Sequence, residues 1–171
     1  MNSRYKLYQE MISVLDEAFE LMVEYDSVPH DYGSATLYQA ESELIHLAGS
    51  MPGITASELA AKLKKTTSAC SQIVKKLRQK GWIEQTRNEK NNREYNLFLT
   101  EEGKKIFQDH EQFESRCYMR TYKELEEFDE EDFRLYMAIQ RKMNKSFVLD
   151  VEESRMQLGQ KDLGNNKQKN M

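Results

Sequence analysis

The stretch Thr66-Thr67-Ser68-Ala69-Cys70-Ser71-Gln72-Ile73-Val74-Lys75-Lys76-Leu77-Arg78-Gln79-Lys80-Gly81 decides the fold. Cys70, Ile73, Val74 and Leu77 recur at steps of three and four, which on a 3.6-residue period makes one apolar stripe. Ser68, Gln72, Lys75, Lys76 and Gln79 point the other way. The Thr66 hydroxyl can cap the first turn, and Gly81 can take the left-handed conformation that ends a helix. The free face carries short hydroxyls and an amide near its start, then cations. Amides and hydroxyls bond base edges and cations meet phosphates, a pattern suited to a helix in the major groove of DNA. A solvated surface helix has a similar look, so its neighbours decide.

Upstream, Thr55-Ala56-Ser57-Glu58 has capping-box spacing and opens a short helix, Ala56 to about Leu63, with Leu59, Ala60 and Leu63 inward. Lys64-Lys65 is too short a link for anything but a close helix pair, so the two helices read as a helix-turn-helix. Downstream the period changes to two. Residues 82–87 and 94–99 read as strands around the polar turn Asn88-Glu89-Lys90-Asn91-Asn92-Arg93. A helix-turn-helix followed by such a hairpin is a winged helix, with Arg87, Lys90 and Arg93 on the wing, where arginine can reach a minor groove or its phosphates.

The 171 residues carry a net charge of −4, which by itself argues against a nucleic-acid partner. Its distribution argues the opposite. Between Lys62 and Arg93 lie ten of the 25 basic residues and two of the 29 acidic ones, a local balance of +8 inside a frame of −12. A local basic patch attracts phosphates and releases counterions. Outside the module, a helix spans about Arg4 to Asp26 and ends at the Ser27-Val28-Pro29 break. A loop with His30, Asp31 and Gly33 follows, then a helix from about Ser34 to Gly49. Beyond the wing, Thr100-Glu101-Glu102-Gly103 begins a fifth helix that runs to about Glu126, and a sixth runs from Asp129 to about Leu149. The first, fifth and sixth helices offer apolar seams that a second copy of the chain would cover.

The expected architecture is mainly α with a small β wing: six helices and a two-stranded wing. Residues 1–33 form an N-terminal dimerisation helix and loop, and 34–100 a winged helix-turn-helix DNA-binding lobe. Residues 101–150 are C-terminal dimerisation helices, and 151–171 a polar, disordered tail rich in Gly, Asn and Lys. Cys70 and Cys117 lack Cys-x-x-Cys spacing and read as reduced thiols. The N-terminus lacks the apolar core of a signal peptide, and no apolar run approaches about 20 residues. The reading is therefore a cytoplasmic protein with no membrane partner. No Gly-rich phosphate loop, His-Glu-x-x-His or Gly-x-Ser-x-Gly is present, so neither enzymatic activity nor a cofactor is expected.

These residues resemble the MarR (multiple antibiotic resistance regulator) family of bacterial transcription regulators. The resemblance is carried by Ile54-Thr55-x-x-Glu58-Leu59-Ala60-x-x-Leu63, by Ser68 to Leu77 with Lys80-Gly81-Trp82-Ile83, and by Leu99-Thr100-Glu101-Glu102-Gly103. It implies a homodimeric repressor that binds a pseudo-palindromic operator in double-stranded DNA and is released by a small-molecule effector or another signal. Under that reading Thr67, Ser68, Ser71 and Gln72 face base edges, with Thr66 capping. Lys64, Lys65, Lys75, Lys76, Arg87, Lys90 and Arg93 face phosphates.

One departure concerns the wing. The family's Asp-Arg-Arg is Asn91-Asn92-Arg93 here, which removes a carboxylate that orients the wing, and one cation. Many relatives bind aromatic ligands between the dimer helices and the DNA lobe, a space that Tyr25, Tyr32, Tyr38 and Phe107 would line. His110 matches one ligand of the zinc-sensing relatives, with Glu114 one turn later, but His30 and His46 do not match the rest, so no metal ligand is assigned. Two alternatives to the ligand-released repressor stay open: a winged helix that docks protein rather than DNA, and a metal-responsive regulator.

Overall fold

The computed structural model describes residues 2–89 and 91–168, with side chains described to residue 158. Lys90 lies outside the described residues. The chain divides into two compact units, one to Tyr118 and one from Met119.

In the first unit, α1 (Ser3–Ser27) starts where the Asn2 carboxamide accepts the Arg4 N–H at 3.1 Å, and it stops short of Pro29. The next segment departs from expectation. The helix expected from Ser34 begins five residues later as α2 (Gln39–Ser50). Ahead of it, β1 (His30–Asp31) pairs antiparallel with β2 (Thr36–Leu37) around a turn at Gly33, where the Asp31 carboxylate accepts the Gly33 N–H at 2.8 Å. Leu37 is fully buried as expected, but from a strand.

α3 (Ala56–Leu63) opens on the capping box read from the sequence. Thr55 N–H donates to the Glu58 carboxylate at 2.8 Å, and Glu58 N–H to the Thr55 hydroxyl at 3.2 Å. Lys64, at φ 51°, turns the chain into α4 (Thr67–Gln79), whose first turn is capped by the Thr66 hydroxyl accepting the Ala69 N–H at 3.2 Å. Cys70, Val74 and Leu77 of the apolar stripe are buried. Gly81, at φ 76°, ends the helix and leads into β3 (Ile83–Arg87), which pairs antiparallel with β4 (Tyr95–Leu99). Unforeseen was a third edge: Leu97 donates to Ile54 O at 3.0 Å and accepts from Gly53 N at 2.8 Å, tying the wing to the start of α3.

These elements close around Leu44, Ile45, Leu59, Leu77, Leu97 and Ile106, all but fully buried, the last from α5 (Glu101–Glu124). α5 crosses packed elements at two points of close approach. Phe107 lies against Gly49 of α2, and Gly103 lies against the backbone of Trp82.

The second unit takes the end of α5 and α6 (Glu130–Gln168). The Asp129 carboxylate caps α6, accepting the N–H groups of Glu131 and Asp132 at 2.7 and 3.1 Å. The end expected near Leu149 is corrected here, since the helix continues to Gln168, into the stretch read as a tail; residues 169–171 of that stretch lie outside the described residues. Residues 151–158 are good helix formers without proline, and an interior glycine costs about 1 kcal/mol, which weakens a helix without ending it.

Candidate nucleic-acid interface

The apolar stripe of α4 is pinned by the core, so its other face is turned to solvent. Thr66, Thr67, Ser68, Ser71, Gln72, Lys75 and Lys76 are all exposed, as are Lys64 and Lys65 in the turn before it. Thr67, Ser68, Ser71 and Gln72 occupy the first two turns, where a helix entering a groove end-on meets base edges. The Thr66 hydroxyl is already spent on the cap.

Lys76 differs from the other cations. Its ammonium lies 2.7 Å from the carboxylate of Glu41, a buried side chain in the first turn of α2, and Lys80 lies 3.6 Å from the same oxygen. Burial would raise the Glu41 pKa, but the close Lys76 ammonium, the hydrogen bond from the Tyr38 backbone and the charge of Lys80 outweigh it and hold the carboxyl below its ordinary value. Among the described residues of the basic module, Lys76 and Lys80 are the cations held in ion pairs.

The wing exposes Arg87 and Arg93. The described residues of its turn are hydrogen-bonded without the family's carboxylate. The Asn91 side-chain oxygen accepts the Arg93 N–H at 3.1 Å, its amide donates to Glu94 at 3.1 Å, and its backbone N–H donates to the Asn88 side chain at 2.9 Å. Asparagine oxygen makes the same turn-closing bond that an aspartate would.

The four aromatic candidates do not share one space. Tyr25 stacks on His30 with ring centroids 3.9 Å apart and lines a cleft of about 260 Å³ with Met22, Gln39, Phe113, Glu114 and Cys117. Tyr32 is buried, donates to the Ser42 hydroxyl at 3.2 Å and meets Phe113 edge-on. Tyr38 is exposed ahead of α2, and Phe107 is packed on Gly49.

A second cluster was missed in the sequence. His46 of α2 and His110 of α5 place their rings 5.7 Å apart, and His46, His110 and Glu111 offer ligand atoms that all lie within 4.8 Å of one another. His46 Nδ1 is 2.8 Å from Glu111 Oε1. His110 is 3 % exposed, its Nδ1 has no hydrogen-bond partner, and its Nε2 is 3.7 Å from Glu114 Oε1. Burial holds the His110 pKa below its ordinary value against the pull of Glu114. The signal lay on α5 alone, where His110 falls four positions past the buried Ile106; His46, one position past the buried Ile45, is half-exposed and off that helix's inward stripe.

Residues 37–95 match the family model described as MarR. No curated protein matches the sequence. Among solved structures, the zinc-responsive MarR family member ZitR of Lactococcus lactis superposes with a TM-score of 0.69 at 18% identity, over 82% of this chain and 99% of that one. FabT of Streptococcus pneumoniae, solved in complex with DNA, gives 0.64 at 25% identity, over 84% and 99%. The zinc-dependent MarR regulator AdcR in its Zn(II)-bound state gives 0.65 at 18% identity, over 86% and 99%. MarR-family members are transcription regulators rather than enzymes. Residues 37–95 thus resemble the MarR family model, within a chain that has the fold of MarR-type winged-helix regulators.

Proposed function

We propose that this chain is a cytoplasmic, homodimeric, sequence-specific repressor that lays α4 into the major groove of each half of a pseudo-palindromic operator. The observation that carries the reading is the exposed, capped polar face of α4, seated between a tight basic turn and a two-arginine wing. Thr67, Ser68, Ser71 and Gln72 read base edges, and Lys64, Lys65, Lys75, Arg87 and Arg93 hold phosphates. The DNA complex of FabT supports the same use of the fold.

Dimerisation is assigned to residues 1–33 and 101–150. Its support is the apolar surface these helices leave uncovered within one chain. α1 buries no residue and exposes Leu7, Phe19, Leu21 and Met22, while α6 exposes Leu135, Tyr136 and Ile139. Exposed apolar side chains in such number on a helix mark an interaction face. The test is selection of bound genomic fragments, with mass measured by light scattering. The reading requires a dimer, a recurrent palindromic motif and affinity that falls steeply with salt. A monomer, or binding with no salt dependence, refutes it.

For the releasing signal, one observation favours a metal over an aromatic ligand. His46, His110 and Glu111 form a compact donor set, and the buried Nδ1 of His110 lacks a partner. Two imidazoles and a carboxylate suit Zn²⁺, and Glu114 at the other His110 nitrogen would orient the ring. Such an ion would supply a cross-link between α2 and α5. The zinc-responsive ZitR and zinc-dependent AdcR share the fold. Calorimetric titration of Zn²⁺ into the wild type and into His46→Ala tests this, since equal heats from both exclude the site.

A further inference from the structure

The DNA-reading proposal assigns base contacts to the start of α4 and leaves open what its C-terminal half does. We propose that Glu41 is a specificity-determining residue: it tethers Lys76 and Lys80 to α2 and withholds their charge from the DNA backbone. This inference rests on that proposal.

The geometry is that of a pinned pair of cations. Glu41 is 5% exposed; one carboxylate oxygen accepts the Tyr38 N–H at 3.2 Å, and the other lies 2.7 Å from Lys76 Nζ and 3.6 Å from Lys80 Nζ. Each ammonium also sits over an aromatic ring, Lys80 at 4.4 Å from the Trp82 centroid and Lys76 at 5.9 Å from that of Tyr38. A lysine that swung to a phosphate would leave a buried carboxylate short of its counter-charge, which is costly. The pair therefore stays with Glu41 when DNA arrives.

The consequence falls on specificity. Phosphate contacts raise affinity for every sequence alike, whereas base-edge contacts favour one. Two cations at the C-terminal end of the reading helix would strengthen the indiscriminate part, and Glu41 removes them from it. The outlying Lys64, Lys65, Arg87 and Arg93 keep the general grip.

The test compares wild type, Glu41→Gln and Glu41→Gln/Lys76→Gln/Lys80→Gln on the selected operator and on a random duplex across a salt series. Glutamine keeps an oxygen for the Tyr38 N–H, so the start of α2 stays capped. Glu41→Gln is expected to steepen the salt slope by about one to two units. Each freed lysine then deepens the loss of affinity between about 50 and 200 mM salt by about 3.5-fold. The ratio of operator to random affinity falls, and the triple variant returns to the wild-type slope. Lysine-selective NMR of the wild type supplies a second readout that does not depend on a variant folding. On adding operator, the Lys76 and Lys80 side-chain signals stay in place while that of Lys65 moves. An unchanged slope in folded Glu41→Gln, or a Lys76 signal that moves as Lys65 does, overturns the tether and leaves the DNA reading intact. A wild type that binds no duplex overturns both.

Discussion

Gly103→Ala should be the costliest single-methyl change in the first compact unit, and the reason is a backbone rather than a side chain. A Cβ built at Gly103 falls 3.0 Å from the carbonyl carbon of Trp82, closer still to its oxygen, and 3.3 Å from Leu99 Cβ. A rotamer change relieves a clash with a side chain, but here the Trp82 peptide itself must move. That peptide accepts the Thr100 N–H at 3.1 Å, and the Thr100 hydroxyl donates to Gly81 O at 2.7 Å, so the end of α4, the root of the wing and the start of α5 share one knot. Overpacking costs about 1–3 kcal/mol. The strained Thr100 bond adds about 1 kcal/mol. The sum, roughly 2–4 kcal/mol, should lower a urea midpoint by about 1–2 M at an m-value of about 2 kcal/mol/M. Gly81→Ala is the control: it has open space around it but a φ of 76°, where an L-residue pays about 1–2 kcal/mol. Urea denaturation of both variants followed by circular dichroism decides the matter. If Gly103→Ala proves as stable as Gly81→Ala, the close approach of α5 to Trp82 is not what fixes the root of the wing.

Gln72→Ala should relax preference at one base pair per half-site at a cost of about 1–3 kcal/mol there, and a binding-site selection that returns an unchanged motif would remove Gln72 from the base contacts. Arg93→Ala should weaken binding to all sequences and flatten the salt slope by about one unit, as a phosphate contact requires; an unaltered slope would take Arg93 out of the interface. His110 is buried with its pKa depressed, so the unfolded chain binds its proton first as pH falls. Its neutral form contributes stability that is fully present above the ordinary histidine pKa of about 6.5 and is lost as pH drops below it. Melting temperature should therefore fall between about pH 7.5 and 5.5 in the metal-free wild type and fall less in His110→Gln; parallel curves would contradict the burial.

What could be read from the residues in order was local. The α4 stripe, the Thr66 cap, the Thr55–Glu58 box and the Gly81 stop are each decided within one or two turns, and all four stand where the spacing placed them. The start of α2 was misread because Leu37 satisfies a helical stripe and a strand's inward position equally well, and a two-residue strand is too short to show its own period. That slip hid Glu41, which becomes a first-turn carboxylate only once the helix begins at Gln39. The end of α6 was misplaced for a different reason: composition reports polarity, and a helix with a solvated surface is as polar as a disordered tail.

Two contacts of α2 were illegible for a deeper reason, since they join residues far apart in the chain. His46 and Glu111 are separated by 65 positions, and Glu41 and Lys76 by 35, so no window of sequence contains either pair. Both pairs have one partner on α2, the helix that packs against both α4 and β4. Its first turn holds the cations of the reading helix, and its next-to-last turn holds the imidazole that faces α5. The donor cluster and the Glu41–Lys76 contact thus both depend on where α2 packs, which no local pattern in the sequence specifies.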